Sequence, residues 1–344
     1  MCKIDNEKEK LSKKPRNWLV TGCAGFIGSN ILEELLKLNQ YVRGIDNFKT
    51  GSQLNLDRVK ENVTESQWNR FEFKQGDIKN ITNCVESCKD VDFVLHQAAL
   101  GSVPRSLEDP ITTNETNISG FLNIITAAKN EKVRNFVYAA SSSTYGDHPD
   151  LPKVEDKFGN PLSPYAVTKY VNELYGQIYK KCYDFDSIGL RYFNVFGPNQ
   201  SKDGPYSAVI PKWIYAILNG KEIVINGDGT TTRDFTYIEN VVQANILAAT
   251  NISKRGGSEI YNVAMGQRTS LIQLIEYISK ELIKKGLERE IKIKYDIARN
   301  GDVKHSEACI KKISEGLGYA PKVYIREGLE FTIDWFLKAE NIYK

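Results

Sequence analysis

Two side chains in the middle of the chain have the types and the spacing of an acid–base pair. Tyr165 and Lys169 stand four residues apart in a helical stretch, which places them on one face of the helix. Ser163 and Pro164, just before them, are typical of an N-cap and a first helical turn. A free phenol has a pKa of ~10, so a base near pH 7 needs its pKa lowered by about three, or ~4 kcal/mol. A lysine cation favours the phenolate, whereas a packed tyrosine beside a solvated lysine is the structural alternative.

A run of hydroxyl side chains, Ser141 to Thr144, directly follows an apolar stretch that is predicted to be a strand. Ligands of open parallel sheets bind at the carboxyl ends of the strands. A serine hydroxyl at this edge could bridge a substrate and Tyr165. A polar turn from strand to loop is the alternative, because runs of serine are frequent in such turns.

A glycine-rich turn, TGCAGFIG at residues 21–28, follows the first predicted strand and precedes a helix. Glycines at this point let the backbone approach a pyrophosphate that binds the N-terminus of the helix. Asp46 ends the next strand, where a carboxylate accepts both ribose hydroxyls and repels a 2′-phosphate, which favours NAD over NADP. The positive nicotinamide ring would also favour a Tyr165 phenolate. Asp77 and Ile78, after the third strand, are predicted to cover the adenine; a surface aspartate is the alternative.

Short apolar runs alternate with helical patterns over the first half of the chain. This alternation predicts parallel strands joined by helical crossovers, and therefore a doubly wound α/β sheet of the Rossmann type. The helical patterns include residues 30–38 and 120–129. The predicted strands are residues 18–21, 41–46, 71–75, 92–96, 135–140, 187–192 and 260–263.

Composition and charge exclude several other classes of protein. The chain has 344 residues, no apolar run of ~20 residues and no signal-peptide pattern, so we expect a cytoplasmic protein without a membrane partner. The net charge of +3 equals the excess of basic residues in positions 1–16, so nothing favours nucleic acid as a partner. The same segment is predicted to be a flexible, solvated tail. Six cysteines without a CxxC pair and three histidines give no metal site, and Cys84 and Cys88 are predicted to be buried thiols.

Taken in order, these motifs resemble the extended short-chain dehydrogenase/reductase superfamily over nearly the whole chain. Further matching segments are QAA at residues 97–99, RYFNVFGP at 191–198 and RNGD at 299–302. The resemblance implies NAD as the cofactor, Tyr165 as the catalytic base, Lys169 as its partner and Ser141 as a hydrogen-bond donor to the sugar C4 oxygen. The cofactor residues that it implies are Gly22, Gly25, Phe26, Ile27, Asp46, Asn47, Asp77, Ile78, Gln97, Ala98, Ala99, Thr116, Tyr165, Lys169, Tyr192 and Val195.

The residues after Ser141 distinguish the branches of this superfamily. Its dehydratases carry Asp-Glu at the positions of Ser142 and Ser143, and its nucleotide-sugar decarboxylases carry a glutamate in this stretch. Serine cannot act as a carboxylate acid or base, so 4-epimerisation of a nucleotide sugar fits best. The segments at residues 96–106 and 140–145 are similar to bacterial epimerases that interconvert UDP-GlcNAc and UDP-GalNAc.

The resemblance also implies which side chains contact the nucleotide sugar. Arginines suit the diphosphate because the guanidinium group makes bidentate contacts, although a surface ion pair is the alternative for each of them. In galactose epimerases the residue four positions after the aspartate of the RxGD segment lies beside the C2 substituent; here that residue is Ser306. The implied substrate residues are Gly101, Ser102, Ser141, Ser142, Ser143, Asn194, Ala208, Val209, Lys212, Trp213, Asn226, Arg233, Arg268, Arg299, Asp302 and Ser306.

Two domains are expected after the N-terminal tail. Residues 17–195 with about 236–264 would bind NAD, and about 196–235 with 265–344 would form a smaller α/β domain for the UDP-sugar. The family implies a homodimer through helices near residues 112–129 and 165–181. Epimerisation of UDP-glucose/UDP-galactose or of uronate forms, and a non-catalytic NAD(H)-binding protein, stay open as alternatives.

Overall fold

The computed structural model describes residues 2–202, 208–251, 258–297 and 303–339. In chain order the strands are β1 (Asn17–Thr21), β2 (Tyr41–Asp46), β3 (Phe71–Gln75), β4 (Phe93–His96), β5 (Asn135–Ser141), β6 (Ser187–Tyr192), β7 (Val195–Phe196), β8 (Ile223–Asn226), β9 (Thr232–Arg233), β10 (Thr236–Tyr237), β11 (Glu259–Val263), β12 (Thr269–Ser270) and β13 (Ile293–Asp296).

The helices alternate with these strands over most of the chain. They are α1 (Lys3–Lys13), α2 (Phe26–Lys37), α3 (Gln53–Asn62), α4 (Glu65–Trp68), α5 (Ile81–Cys88), α6 (Val103–Glu108), α7 (Pro110–Asn114), α8 (Gly120–Asn130), α9 (Pro164–Tyr183), α10 (Val209–Leu218), α11 (Ile238–Asn251), α12 (Leu271–Lys284), α13 (Lys311–Leu317) and α14 (Ile325–Ala339), with a π-helical segment Glu115–Ser119 and a 3-10 turn Ser142–Tyr145.

Seven parallel strands form the central sheet in the order β11-β6-β5-β4-β1-β2-β3. The order reverses direction next to β1, where β2 lies on one side and β4 on the other. This is the point at which open α/β sheets bind their ligands, outside the carboxyl ends of the strands. The sheet confirms the predicted doubly wound fold, and each predicted strand lies in it.

The central strands are apolar on both faces because helices cover both faces of the sheet. Trp18 and Val20 of β1 pack in one hydrophobic cluster with Ile31 of α2. Leu19 points the other way and packs in a second cluster with Phe121 of α8. A continuous apolar run is therefore the sequence pattern that a fully covered parallel strand requires.

The first sixteen residues do not form the flexible tail that the sequence predicts. Residues Lys3–Lys13 form helix α1, whose Ile4 and Leu11 are 4% and 6% exposed and belong to the main core. Lys8 pairs with Glu34 of α2 at 2.8 Å, and Asp5 pairs with Lys322 at 3.0 Å. The prediction was wrong because most of the segment is charged, while two apolar residues seven positions apart are enough to bury one face.

The fully buried amide of Gln40 fixes the junction between α1 and β1. Its oxygen accepts from the Arg16 backbone N–H at 3.0 Å and from the Trp18 indole at 3.2 Å. Its nitrogen donates to the Leu11 carbonyl at 2.9 Å. Loss of this amide would leave several buried polar groups without partners, on the side of the sheet away from the strand ends.

Smaller strand pairs make up the rest of the described chain. β8 pairs with β13, β9 with β12 and β7 with β10. The chain returns to the large sheet through β10, α11 and β11, as the sequence predicts, and the exact division into two domains stays a prediction. Within the described ranges no helix is long and apolar enough to span a bilayer, and no cluster of acidic, histidine or cysteine side chains could hold a metal ion. Cys84 and Cys88 are buried free thiols.

Candidate active site

The turn between β1 and α2 has a geometry that only glycine permits. Gly22 has φ +69°, and a Cβ there would lie 2.8 Å from the Ala98 nitrogen. A Cβ on Gly28 would lie 2.1 Å from the Gly22 carbonyl oxygen. The close approach brings the N-terminus of α2 to the strand ends, and its N-cap residue, Gly25, provides no side-chain cap. The free N–H groups and the helix dipole therefore suit an anion such as a pyrophosphate.

Asp46 ends β2 beside this turn and is 8% exposed. One carboxylate oxygen accepts from the Ala24 N–H at 3.0 Å and the other from the Phe48 N–H at 2.8 Å. Burial raises the pKa of this carboxyl group, and the backbone N–H groups oppose that rise. These N–H groups fix the carboxylate at the cavity wall with lone pairs left for the hydroxyls of a ribose.

A cavity of about 270 Å³ lies between the turn, Asp46 and the end of β4. Twelve residues that the sequence predicts for the cofactor line it: Gly22, Gly25, Phe26, Ile27, Asp46, Asn47, Asp77, Ile78, Gln97, Ala98, Ala99 and Thr116. Lys49 and Thr50 line it as well, and the sequence reasoning missed them because the loop after β2 carries no motif. The donors and acceptors of this cavity fit a dinucleotide.

Helix α9 begins as the sequence predicts and carries both members of the acid–base pair. Ser163 is its N-cap and accepts from the Ala166 N–H at 3.1 Å, and Pro164 occupies its first turn. Tyr165 follows, and Lys169 lies one turn further on, with its ammonium group 5.9 Å from the centre of the tyrosine ring. A capped first turn holds the tyrosine on a rigid element.

Tyr165 and Ser141 meet at the end of β5. Burial raises the pKa of the tyrosine, and the Ser141 hydroxyl nearby lowers it by a smaller amount. Ser143 donates to the Ser141 hydroxyl oxygen at 2.8 Å, which fixes the orientation of that side chain. The protein alone therefore keeps the phenol protonated, and a further positive charge is required to make it a base near pH 7.

Lys169 is buried behind the tyrosine. Its ammonium group donates to the Ala139 carbonyl oxygen at 2.8 Å, and burial lowers its pKa to about 8. The neighbouring His96 is also buried, and its pKa falls to about 3, first because of burial and then because of the Lys169 charge. Of these two neighbours, Lys169 therefore carries a positive charge at neutral pH and His96 is neutral.

A second cavity, of about 650 Å³, opens beyond the end of β6. Lys212 and Trp213 of α10 form one wall, and Arg233 of β9 forms another. The predicted substrate residues that line it are Ser102, Asn194, Ala208, Val209, Lys212, Trp213, Asn226 and Arg233. Its size, one buried indole and two cationic side chains suit a nucleotide diphosphate.

A third cavity, of about 150 Å³, lies next to the second and beside the start of α9. Ser142, Ser143 and Ser306, three residues that the sequence predicts for the substrate, line it. Asn194 and Arg233 line both cavities, so the two are adjacent. Lys153 also lines the small cavity; the sequence reasoning missed it, since the residue belongs to no motif.

Some predicted residues lie elsewhere. Arg268 lines a separate cavity and pairs with Glu307 at 3.5 Å, so the structure does not bring it together with the other predicted substrate residues, and its substrate contact stays a prediction. After the residues predicted for them, the first, second and third cavities are called the cofactor, nucleotide and sugar cavities; the last two are the substrate cavities. Gly101, predicted for the substrate, lines the cofactor cavity, whereas Val195, predicted for the cofactor, lines the nucleotide cavity.

Four predicted residues within the described ranges line none of these cavities. Tyr192 is buried and hydrogen-bonded to Gln97 at 3.1 Å, and the other three, Ser141, Tyr165 and Lys169, lie at the end of β5 and the start of α9. Arg299 and Asp302 lie outside the described residues.

Ser102 lies where the cavities meet and has a strained backbone. Its φ is +121°, which side chains other than glycine rarely adopt, and it caps α6 by accepting from Arg105 at 3.3 Å. Its neighbours Gly101 and Val103 line the cofactor cavity and the two substrate cavities respectively. Strain of this kind costs about 1–3 kcal/mol and is concentrated at functional sites.

Comparison with known proteins agrees with this geometry. A family model described as the NAD dependent epimerase/dehydratase family matches residues 18–264. The chain belongs to this family. The cofactor of the NAD-dependent epimerase/dehydratase family is NAD, and the anion site, the glycine turn and Asp46 fit that cofactor.

Similar proteins cover nearly the whole chain. A UDP-N-acetylglucosamine 4-epimerase from Methanobrevibacter ruminantium, solved with UDP-N-acetylmuramic acid, is 37% identical with a TM-score of 0.85, over 95% of this chain and 99% of that one. A UDP-glucose 4-epimerase from Thermotoga maritima, solved with UDP-glucose, is 32% identical with a TM-score of 0.83, over 94% and 99%. A UDP-glucuronate 4-epimerase from Thermodesulfobacterium geofontis is 38% identical over 94% of this chain and 97% of its own.

Replacement of Asp46 should change the choice of cofactor. We expect Asp46→Ala to weaken NAD binding by about 10- to 100-fold, since hydrogen bonds to a charged group contribute about 1.5–3 kcal/mol. NADP binding should suffer less, because the carboxylate that repels the 2′-phosphate is gone. The measurement is the dissociation constant of each dinucleotide. Asp77→Ala serves as the control, as it should weaken both equally; wild-type protein that binds NADP as tightly as NAD would contradict the assignment.

Proposed function

We propose that the protein interconverts UDP-N-acetylglucosamine and UDP-N-acetylgalactosamine as an NAD-dependent UDP-sugar 4-epimerase. The observation that carries the proposal is the small cavity beside the first turn of α9, where Ser163 and Ala166 line it on either side of Tyr165 in the sequence. Small hydroxyl side chains, Ser142, Ser143 and Ser306, line it, and no aspartate or glutamate does so among the described residues. An acetamido group has room beside Ser306, and a carboxylate that could drive elimination is absent from this lining.

Tyr165 and Ser141 carry out the transfer of the C4 hydroxyl proton. NAD, when bound, supplies the hydride acceptor, returns the hydride and places a positive charge beside the phenol. Tyr165 accepts the proton of the C4 hydroxyl group and gives it back at the end of the reaction. The Ser141 hydroxyl, which lies near the phenol, donates its proton to the C4 oxygen. Lys169 adds a second positive charge, fixed by the Ala139 carbonyl.

Inversion at C4 requires that the 4-keto sugar present its other face before the hydride returns. The nucleotide remains anchored in the larger cavity during this movement, where Lys212, Trp213 and Arg233 line the walls. The three serines of the sugar cavity, Ser142, Ser143 and Ser306, leave space on their side for the ring to turn. In this proposal the nucleotide stays fixed while the hexose turns between the two hydride transfers.

One side chain favours a second candidate, epimerisation of the hexuronate forms. Lys153 is 3% exposed, and it lines the sugar cavity. Its ammonium group donates to the His148 carbonyl oxygen, and burial lowers its pKa. A C6 carboxylate on the sugar would compensate this buried charge.

A side-by-side assay tests both candidates and the non-catalytic alternative. Purified protein is incubated with UDP-GlcNAc, UDP-GalNAc, UDP-Glc and UDP-N-acetylglucosaminuronate, and each 4-epimer is quantified by NMR. The proposal expects the highest kcat/KM for UDP-GlcNAc and UDP-GalNAc. Preference for the uronate would select the second candidate, and lack of turnover with all four would reject the enzymatic function.

We also propose that two copies associate through α9, as expected for the family. Val167, Leu174 and Ile178 are 45%, 41% and 48% exposed and lie on one face of this helix by their spacing. A continuous exposed apolar face on a helix is typical of an interface. Sedimentation velocity at micromolar concentration should give twice the mass of one chain, and a monomer would contradict this proposal.

A further inference from the structure

Asp234 is a completely buried carboxylate that touches neither the cofactor cavity nor the substrate cavities. Its exposed fraction is 0%. One oxygen accepts from the Met265 N–H at 3.0 Å, and the other accepts from the Gly266 N–H at 3.0 Å and the Ala308 N–H at 3.2 Å. It therefore joins the end of β9 to two segments that are distant in sequence.

One of these segments carries the residue beside the sugar. Residues 303–308, called the gate segment from here on, contain Ser306, which lines the sugar cavity. The Ser306 N–H donates to the Thr232 carbonyl at 3.1 Å, and the Thr232 N–H donates to the Lys304 carbonyl at 3.1 Å. Asp234 holds the same segment two residues later, at Ala308. The gate segment is thus attached to the strand that also presents Arg233 to the cavity.

We infer that Asp234 is a positioning residue that sets the distance between the Ser306 gate and the substrate, and thereby the selectivity for the C2 substituent. The inference rests on the proposed UDP-sugar epimerase function. Asp234 acts through the backbone of the gate segment, and its side chain touches no reacting atom. Two residues link Asp234 to both substrate cavities, because each of them lines both: its sequence neighbour Arg233, and Asn194. The Asn194 amide donates to the backbone carbonyl of Asp234 at 3.3 Å.

A carboxylate suits this position because both of its oxygens are hydrogen-bond acceptors and the groups that face them are donors. Three backbone N–H groups point at its two oxygens, so each oxygen is needed as an acceptor. In Asp234→Asn one oxygen becomes an NH₂ group that faces N–H donors. In one orientation of the amide Ala308 of the gate segment loses its acceptor, and in the other Met265 loses it and the NH₂ group pushes the carboxamide out of place. The bonds of the gate segment to Thr232 and to Lys153 remain in both.

The test compares the selectivity of Asp234→Asn with that of the wild type. Selectivity is the kcat/KM for UDP-GalNAc divided by that for UDP-Gal. A misplacement of 1 Å can cost up to ~100-fold in rate, so we expect a change of about three- to 30-fold in this ratio. The change should appear mainly in KM, because the catalytic pair on α9 is untouched. An unchanged ratio would overturn the inference.

Gln40→Met is the matched control. Gln40 is also 0% exposed, and it also holds backbone groups together, but on the side of the sheet away from the strand ends. A purely structural effect lowers the melting temperature and the active fraction of both variants, and it leaves the selectivity ratio unchanged. The inference requires the ratio to move in Asp234→Asn and to stay constant in Gln40→Met.

A measurement on the wild type keeps the inference testable if Asp234→Asn does not fold. Burial raises the pKa of Asp234 to about 7, so both of its oxygens accept above that pH, and one becomes an O–H group facing N–H donors as the pH falls through it. The selectivity ratio should therefore change below about pH 7, whereas ionisations that affect both substrates equally cancel. A ratio that is constant from pH 5.5 to 8.5 would overturn the inference.

Two ionisable side chains nearby need to be separated from Asp234. His305 contacts the Thr232 hydroxyl at 3.0 Å, and the Tyr319 hydroxyl donates to the Ala264 carbonyl. Burial and the Asp234 charge raise the pKa of Tyr319, so it stays protonated in this range. The profile repeated in His305→Gln removes the histidine, and a pH dependence that vanishes there contradicts the role of Asp234. Absence of wild-type turnover with every UDP-sugar would instead reject the proposed function itself.

Discussion

Tyr165→Phe should lose about 10²- to 10⁴-fold in kcat and retain most of its substrate affinity. The change removes one oxygen atom and leaves the ring in place on α9. Proton transfer by a positioned side chain contributes a factor of this size. The hydroxyl group of Ser141 remains, but a serine is too weak a base to replace a phenol that the cofactor and Lys169 have polarised. Epimer formation under saturating UDP-sugar measures the effect.

Tyr170→Phe is the control for this variant. Tyr170 lies on the same helix, and its ring packs on Phe158 at 5.1 Å between centroids. The same hydroxyl deletion there should leave kcat within about twofold of the wild type. Near-normal turnover of Tyr165→Phe, or an equal loss in both variants, would reject the assignment of the base.

The pH dependence of kcat should follow the same phenol. Burial raises the Tyr165 pKa and the Ser141 contact lowers it, so the positive charges around the phenol decide where it titrates. The phenolate is the active form, and kcat should therefore rise with pH up to the pKa of the complex. This rising limb should disappear in the residual activity of Tyr165→Phe.

The cofactor half of the site could be predicted from the sequence because its determinants are local. Gly22 and Gly28 are needed by backbone geometry within one turn, and Asp46 is placed by the end of a strand next to β1. A parallel sheet aligns these strand ends at one edge, so the spacing in the sequence fixes the position in space. The N-cap of α9 is local for the same reason.

The sugar half could be predicted only in part because it depends on contacts between distant segments. Lys153 reaches the sugar cavity in a segment that pairs with Glu307 and Cys309, about 150 residues further along the chain. Asp234 holds Ala308 across 74 residues. No motif or periodicity encodes such pairings, so sequence reasoning reached these segments only through a family resemblance.

Residue type alone does not predict whether an arginine faces the substrate, as Arg268 shows. Its guanidinium group suits a diphosphate as well as that of Arg233 does, and both follow short loops. The direction of the side chain is set by the fold: Arg233 lines the nucleotide cavity, whereas Arg268 pairs with Glu307 at 3.5 Å outside it. Helix α1 is a similar case, since the burial of Ile4 and Leu11 depends on the core residues that they pack against, which are distant in sequence.

Substitution at the gate should produce the largest change in substrate choice. Ser306 lines the sugar cavity, which has a volume of about 150 Å³, and its backbone N–H is bonded to Thr232 at 3.1 Å. This bond resists a withdrawal of the backbone that would make room for a much larger side chain. In Ser306→Tyr the ring would occupy the space proposed for the acetamido group, whereas the smaller C2 hydroxyl of UDP-Gal would still fit.

Forcing an extra group into a filled site costs about 1–3 kcal/mol. At about 1.4 kcal/mol per factor of ten, we expect Ser306→Tyr to lower kcat/KM for UDP-GalNAc by roughly five- to 150-fold relative to UDP-Gal. Ser306→Ala separates volume from hydrogen bonding: it removes the hydroxyl group, keeps the space and should leave the ratio within about threefold. If the tyrosine variant keeps the wild-type ratio, another wall of the cavity determines the C2 substituent. If the alanine variant loses N-acetylated substrates as strongly as the tyrosine variant does, the serine acts as a hydrogen-bond partner, and the volume of the site does not decide selectivity.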